Sequence, residues 1–120
     1  MSEGKANMTR LLSGLHKLRD EAPDMPIAVL VTFFGIGEYA AERSEQDPIS
    51  IRELAEKIGL PYSSTSRHIR YLGDMFSPDK RGLGWIDTDI VQQDRRQKTA
   101  FLTPKGKRVL STFKATVGLE

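Results

Sequence analysis

Apolar residues recur at three- and four-residue spacing in four stretches of this chain, run almost unbroken through a fifth, and give way to β-branched and aromatic residues in a sixth. The first stretch, residues 8–21, sets Leu11, Leu15 and Leu18 along one stripe with Leu12 beside it, and it stops at the Ala22-Pro23 and Met25-Pro26 breaks. Residues 27–43 are apolar nearly all round at their start, the pattern of a central helix buried on several sides. Asp47-Pro48 marks a turn, and Ile49 is placed to supply a short first strand. Ile51, Leu54, Ala55 and Ile58 then form one stripe, and Thr65, Ile69 and Leu72 form another.

The last two stripes belong to two short helices joined by a tight turn. Ser50 and Glu53 have capping-box spacing, so each side chain is expected to satisfy a backbone N–H at the start of the first helix. Gly59 ends that helix where a left-handed residue is wanted, and Pro61 suits the opening of the next, where a missing N–H has no consequence. With Thr65, Ile69 and Leu72 turned inward, Tyr62, Ser63, Ser64, Ser66, Arg67, His68, Arg70 and Tyr71 are left to the surface. This is a helix-turn-helix pattern whose outer face carries hydroxyls, guanidiniums and rings. Such groups hydrogen-bond base edges and phosphates, and a protruding helix is the right width for a major groove.

Downstream, Trp85, Ile86, Ile90 and Val91 on one side and Thr99, Phe101 and Leu102 on the other predict two strands around a polar tip formed by residues 92–98. No Asn-Gly or Asp-Gly pair marks the turn, so its residues are left unassigned. Thr103 and Pro104 supply an N-cap and a first-turn proline for a final helix through Val109, Leu110, Phe113 and Val117.

Over roughly residues 48–110 the chain resembles the MarR family of winged-helix transcription regulators. The wing motif of that family, D-x-R followed by L-T and a glycine just inside the next helix, is met by Asp94, Arg96, Leu102, Thr103 and Gly106. Its recognition-helix pattern is met by Leu60, Ser63, Ser64, Ser66 and Arg67, with serine at a position usually held by threonine. The resemblance implies that Arg96 reaches a minor groove or phosphate, that Asp94 braces it, and that the segment from Ser63 to Arg67 reads a major groove. The link from Gly73 to Gly84 is longer than relatives have at that point, and its Ser-Pro and paired glycines predict an inserted turn or loop of unassigned role. Relatives carry a longer helical pair after the wing. Here one short helix follows it, so a dimer is expected to lean on Leu11, Leu15 and Leu18 together with Phe113 and Val117.

Composition narrows the classes. At 120 residues the chain is one domain by size, and it has no cysteine, which excludes disulfides, thiol chemistry and Cys-containing zinc sites and leaves the cytoplasm as the default location. The longest apolar run is far short of a membrane span, and no apolar segment follows a basic start in the manner of a signal peptide. The net charge of +2 conceals an asymmetry: residues 1–59 hold 7 Lys+Arg against 10 Asp+Glu, whereas residues 60–110 hold 10 against 5. The basic charge coincides with the helix-turn-helix and the wing, as a phosphate-facing surface requires.

His16 and His68 are the only histidines and stand in no ligand spacing, so no metal site is expected, and His68 is read as a surface residue near DNA. No nucleophilic triad, phosphate loop or dinucleotide motif is present, hence no enzyme and no cofactor. Phe33, Phe34 and Tyr39 are read as core in preference to an effector cavity, so a small-molecule effector has no support in these residues.

The fold expected is mainly α, in the α+β sense: a winged helix-turn-helix with a two-stranded wing and flanking dimerisation helices. Residues 1–120 form one domain, with an N-terminal helix in 1–22, the winged-helix core in 26–110 and the end of the last helix in 111–120. The function expected is sequence-specific double-stranded DNA binding by a homodimeric regulator, a repressor. Recognition falls to Tyr62, Ser63, Ser64, Ser66, Arg67, His68, Arg70 and Tyr71, and wing contacts to Gln93, Asp94, Arg95, Arg96 and Lys98. A protein-binding winged helix and a DNA-binding accessory of replication or phage development are the alternatives.

Overall fold

The Ser50 hydroxyl accepts the Glu53 amide at 3.0 Å, and Gly59, at φ 74°, turns the chain out of the helix that lies between them. The computed structural model describes residues 7–41, 43, 47–77, 80–91 and 94–119, with the backbone alone at 75–77, 80, 90–91 and 94–97. Its elements are α1 (Met8–Glu21), α2 (Ile27–Tyr39), α3 (Ile51–Ile58), α4 (Tyr62–Leu72), β1 (Met75–Ser77), β2 (Lys80–Arg81), β3 (Ile86–Val91), β4 (Asp94–Leu102) and α5 (Pro104–Val117). Gly59 caps α3 because glycine enters the left-handed region without a Cβ penalty, and the amides of Gly59 and Leu60 both bond to the Ala55 carbonyl.

α2, α3 and α4 enclose the core expected from their stripes. Phe33, Ile36, Leu54, Ile69 and Leu72 are buried, and Trp85, just ahead of β3, packs tilted against Phe33 with ring centroids 4.8 Å apart. Phe34 packs on Phe113 of α5 at 4.8 Å, and Phe33, Phe34 and Tyr39 all belong to or pack against the core, as the sequence reading favoured.

β3 and β4 pair antiparallel from Ile86↔Leu102 to Ile90↔Lys98, with a register shift before Val91↔Asp94. The other edge of β4 meets the chain ahead of α3. A bridge joins Ser50 to Thr99, and the Ala100 amide bonds to the Ile49 carbonyl at 3.3 Å. The segment at Ile49 thus lies where a short first strand was expected. Thr103 fastens the wing to α5: its hydroxyl accepts the Gly106 amide at 3.0 Å and donates to the Gly84 carbonyl at 2.7 Å. Gly106 is buried against the carbonyl of Trp85, so close that an added Cβ would overlap it. The Thr and Gly that carry part of the family resemblance therefore have a packing reason here.

Several expectations change. α2 stops at Tyr39, short of Arg43, because the chain turns at Ala40 and Arg43 is drawn to Asp47 and Glu53. The Glu53 carboxylate pairs with Arg43, so the Ser50 half of the capping box is met and the Glu53 side chain is engaged elsewhere. The insertion between Gly73 and Gly84 is more than a loop: β1 and β2 form a small antiparallel hairpin, braced where Leu83 and Gly84 bond back to Tyr71 and Gly73.

α1 folds onto α5. Gly14 lets the helices approach to within contact of Val117 and Phe113, and the Arg10 guanidinium bonds to the Ala115 and Thr116 carbonyls at 2.9 Å. Leu18, Phe113 and Val117, expected at a dimer interface, are covered by the chain's own α1–α5 contact. Leu11 and Leu15 stay exposed, together with Met8 and Leu12. Among the described residues no helix is long and apolar enough to cross a membrane.

Candidate nucleic-acid interface

Burial of Thr65, Ile69 and Leu72 fixes how α4 is rotated and so decides what it presents. Ser63, Arg67 and Arg70 face outward and are exposed. Ser64 and Ser66 lie on the two flanks, half-buried. Thr65 spends its hydroxyl on the Pro61 carbonyl at 3.0 Å, inside the helix. Neither Arg67 nor Arg70 has a carboxylate within ion-pair distance among the described residues, so no described ion pair neutralises the protruding guanidiniums.

On one flank, Ser66, Ile69 and Arg70 look across an open cleft of about 440 Å³ at Ile86, Asp87, Thr88 and Lys98 of the wing. Ile51, Gly73 and Asp74 complete its lining. Arg70 and Lys98 supply cations on opposite walls, while Asp74 and Asp87 restrict where an anion can settle between them. At the start of this flank Tyr62 lies under the Arg52 guanidinium, whose Cζ is 4.6 Å from the ring centroid. Arg52 was not singled out in the sequence. A cation in the first turn of a helix, where the helix dipole disfavours it, was the available signal.

The other flank turns toward α2. His68 is half-buried there, with Nδ1 2.9 Å from the Thr32 hydroxyl, which is itself 3.0 Å from the Ala28 carbonyl. The carbonyl only accepts, so the Thr32 proton goes to it and the hydroxyl receives the Nδ1–H of neutral His68. Burial, and secondarily the adjacent Arg67 guanidinium, hold this imidazole below its ordinary pKa. His68 was expected at the DNA-facing surface; it instead joins α4 to α2. Tyr71, also expected at the surface, packs against the core.

The wing is placed in part. Lys98 is exposed on β4. Asp94, Arg95 and Arg96 lie on β4 by backbone, their side chains outside the described set, and Gln93 lies outside the described residues altogether. The sequence thus anticipated the strands, and β4 extends into the basic tip. A larger hollow of about 540 Å³ lies between the end of α2, β4 and Lys107 of α5, and none of its lining belongs to α4. No group of His, Cys, Asp and Glu able to hold a metal occurs among the described residues.

No family model matches the chain, and no curated protein matches it. Solved structures do. A MarR family transcriptional regulator from Streptomyces coelicolor in complex with DNA is 25% identical, with a TM-score of 0.58 over 86% of this chain and 56% of its own. The MepR–DNA complex of S. aureus is 19% identical, with a TM-score of 0.57 over 91% of this chain and 81% of its own. A putative DNA-binding protein from Ralstonia eutropha, 19% identical, is covered over 95% of its length and 73% of this chain, at a TM-score of 0.56. This chain therefore has the winged-helix fold of MarR-family transcriptional regulators, with the β1–β2 hairpin lying between α4 and β3.

Proposed function

We propose that the protein binds double-stranded DNA sequence-specifically as a homodimer and represses transcription by occluding a promoter. The carrying observation is the outer face of α4, where Ser63, Arg67 and Arg70 stand exposed, the two arginines in no ion pair with a described carboxylate, beside a cleft with Lys98 on its far wall. A helix of this kind enters a major groove, while the wing, with Arg95 and Arg96 near its tip, follows the adjacent backbone and minor groove. The likeness to structures solved on DNA supports the same partner.

The homodimer is supported by α1. Met8 is 77% exposed, Leu12 55%, and Leu11 and Leu15 38% each, an apolar helix face that a second copy would cover. Two copies set about a helical turn apart, roughly 34–36 Å, would place two α4 helices in successive major grooves. Occupancy of a promoter by such a dimer excludes polymerase by bulk.

Duplex binding at 50 and 200 mM salt tests the reading. Six or more phosphate contacts per dimer reduce affinity by on the order of 10³-fold over that range. Absence of duplex binding at 50 mM salt, with capture of a defined protein partner in its place, would favour a protein-binding winged helix.

A further inference from the structure

We infer that Arg52 of α3 is a further phosphate contact of this surface, and that Tyr62 is the residue that positions it. The inference rests on the DNA-binding reading above. Arg52 and Tyr62 are both exposed, and the guanidinium lies over the ring with Cζ 4.6 Å from its centroid. With its Cζ over the ring, the guanidinium still has N–H donors to offer a ligand. Those donors match the oxygens of a phosphate.

The charge of Arg52 serves nothing else among the described residues. No carboxylate lies within ion-pair distance of it, and the neighbouring Glu53 carboxylate is taken by Arg43. The helix dipole opposes a cation at the second position of α3, so the site is not explained by helix stability. The Tyr62 ring offsets that opposition and holds the long side chain in one place.

Its position completes a row. Tyr62, Ser66 and Arg70 recur every four residues along the flank of α4 that faces the wing, spanning about 12 Å of helix axis. Ser66 and Arg70 line the cleft with Ile51 and Lys98, and Arg52 adjoins Ile51. Cations therefore stand at both ends of the row, Arg52 at one and Arg70 with Lys98 at the other, with the Ser66 hydroxyl between them. In a helix-turn-helix the first helix crosses the phosphate backbone while the second lies in the groove, and Arg52 is on the first.

Parent, Arg52→Ala, Tyr62→Phe, Tyr62→Leu and the Arg52→Ala/Tyr62→Leu pair are titrated onto one duplex of selected sequence and one of random sequence at 50 and 200 mM salt. Loss of one phosphate contact per protomer weakens both duplexes and lowers the salt slope by about 0.9 per protomer. For each protomer's contact, the deficit of Arg52→Ala then shrinks about 3.5-fold between 50 and 200 mM salt. Tyr62→Phe, which keeps the ring, stays near the parent in salt slope. Tyr62→Leu approaches Arg52→Ala, and the double variant is no weaker than Arg52→Ala alone. An unchanged slope in Arg52→Ala, or additive losses in the double variant, overturns the inference while leaving DNA binding intact. Failure of the parent to bind either duplex overturns both.

Discussion

Replacing Thr103 by Val removes one hydroxyl from the point where wing and α5 meet, and keeps the branched shape at an extended backbone position (φ −74°, ψ 169°). Two interactions go with it. The Gly106 amide loses its N-cap acceptor, typically worth about 1 kcal/mol. The Gly84 carbonyl loses a 2.7 Å donor in a half-buried setting, worth roughly another 1 kcal/mol. The sum of about 2 kcal/mol acts on a domain whose unfolding entropy at Tm is roughly 2.1 cal/mol/K per residue, or about 250 cal/mol/K for 120 residues, so Tm falls by about 8 °C. Thr103→Ser keeps the hydroxyl and should stay within about 2 °C of the parent. Thermal unfolding followed by circular dichroism and calorimetry reads both. A Val variant within about 2 °C of the parent, or a Ser variant as unstable as Val, would show that the hydroxyl does not hold this junction.

Three further outcomes are expected. The His68 pKa is lowered from 6.5 in the folded protein, so the unfolded chain takes up the proton first as pH falls; the stability tied to neutral His68 is full above about 6.5 and is lost as pH falls toward the folded pKa. In urea unfolding at pH 7.5 and 5.5, the parent should therefore lose more stability than His68→Asn, which has an amide donor for Thr32 and no titration; equal losses would contradict it. Arg67→Ala should reduce discrimination between selected and random duplexes, by on the order of 1–3 kcal/mol if the contact is bidentate, whereas Arg96→Ala should weaken all duplexes and lower the salt slope. Identical behaviour of the two across a randomised library would remove the division between reading and anchoring. Leu15→Glu should give a folded monomer by light scattering that binds a two-half-site duplex far more weakly, because the two contacts no longer share one effective concentration; a folded variant that remains dimeric places the interface elsewhere.

The local signals were legible where the residues that determine an element lie within it. Ser50, Gly59 and the stripes of α3 and α4 fix two helices from short-range spacing alone, along with the inward Thr65, Ile69 and Leu72 of the second and its outward Ser63, Arg67 and Arg70, though not the inward turn of His68 and Tyr71. Thr103 and Pro104 likewise mark the start of α5. Features set by long-range packing were not legible. The Thr32–His68 hydrogen bond depends on how α2 crosses α4, 36 residues apart in sequence, and nothing in the neighbourhood of either residue announces it. The same holds for Leu18, Phe113 and Val117, whose apolar character is equally suited to an interface between subunits and to the α1–α5 contact that Gly14 permits. The hairpin escaped because β1 and β2 hold three and two residues, too few to show alternation. Arg52 was passed over because its partner ring stands on the next helix.

Selection of bound duplexes from a randomised pool, followed by sequencing, tests the central claim most directly. A homodimer reading DNA through α4 should enrich a two-fold symmetric site whose half-sites lie about 10–10.5 base pairs apart, or a multiple of that spacing, centre to centre. Substituting Ala for Arg67 should then blur the same position in both half-sites. Recovery of unenriched sequence at every salt concentration, or of no duplex at all, would contradict the assignment of this surface to sequence-specific DNA binding.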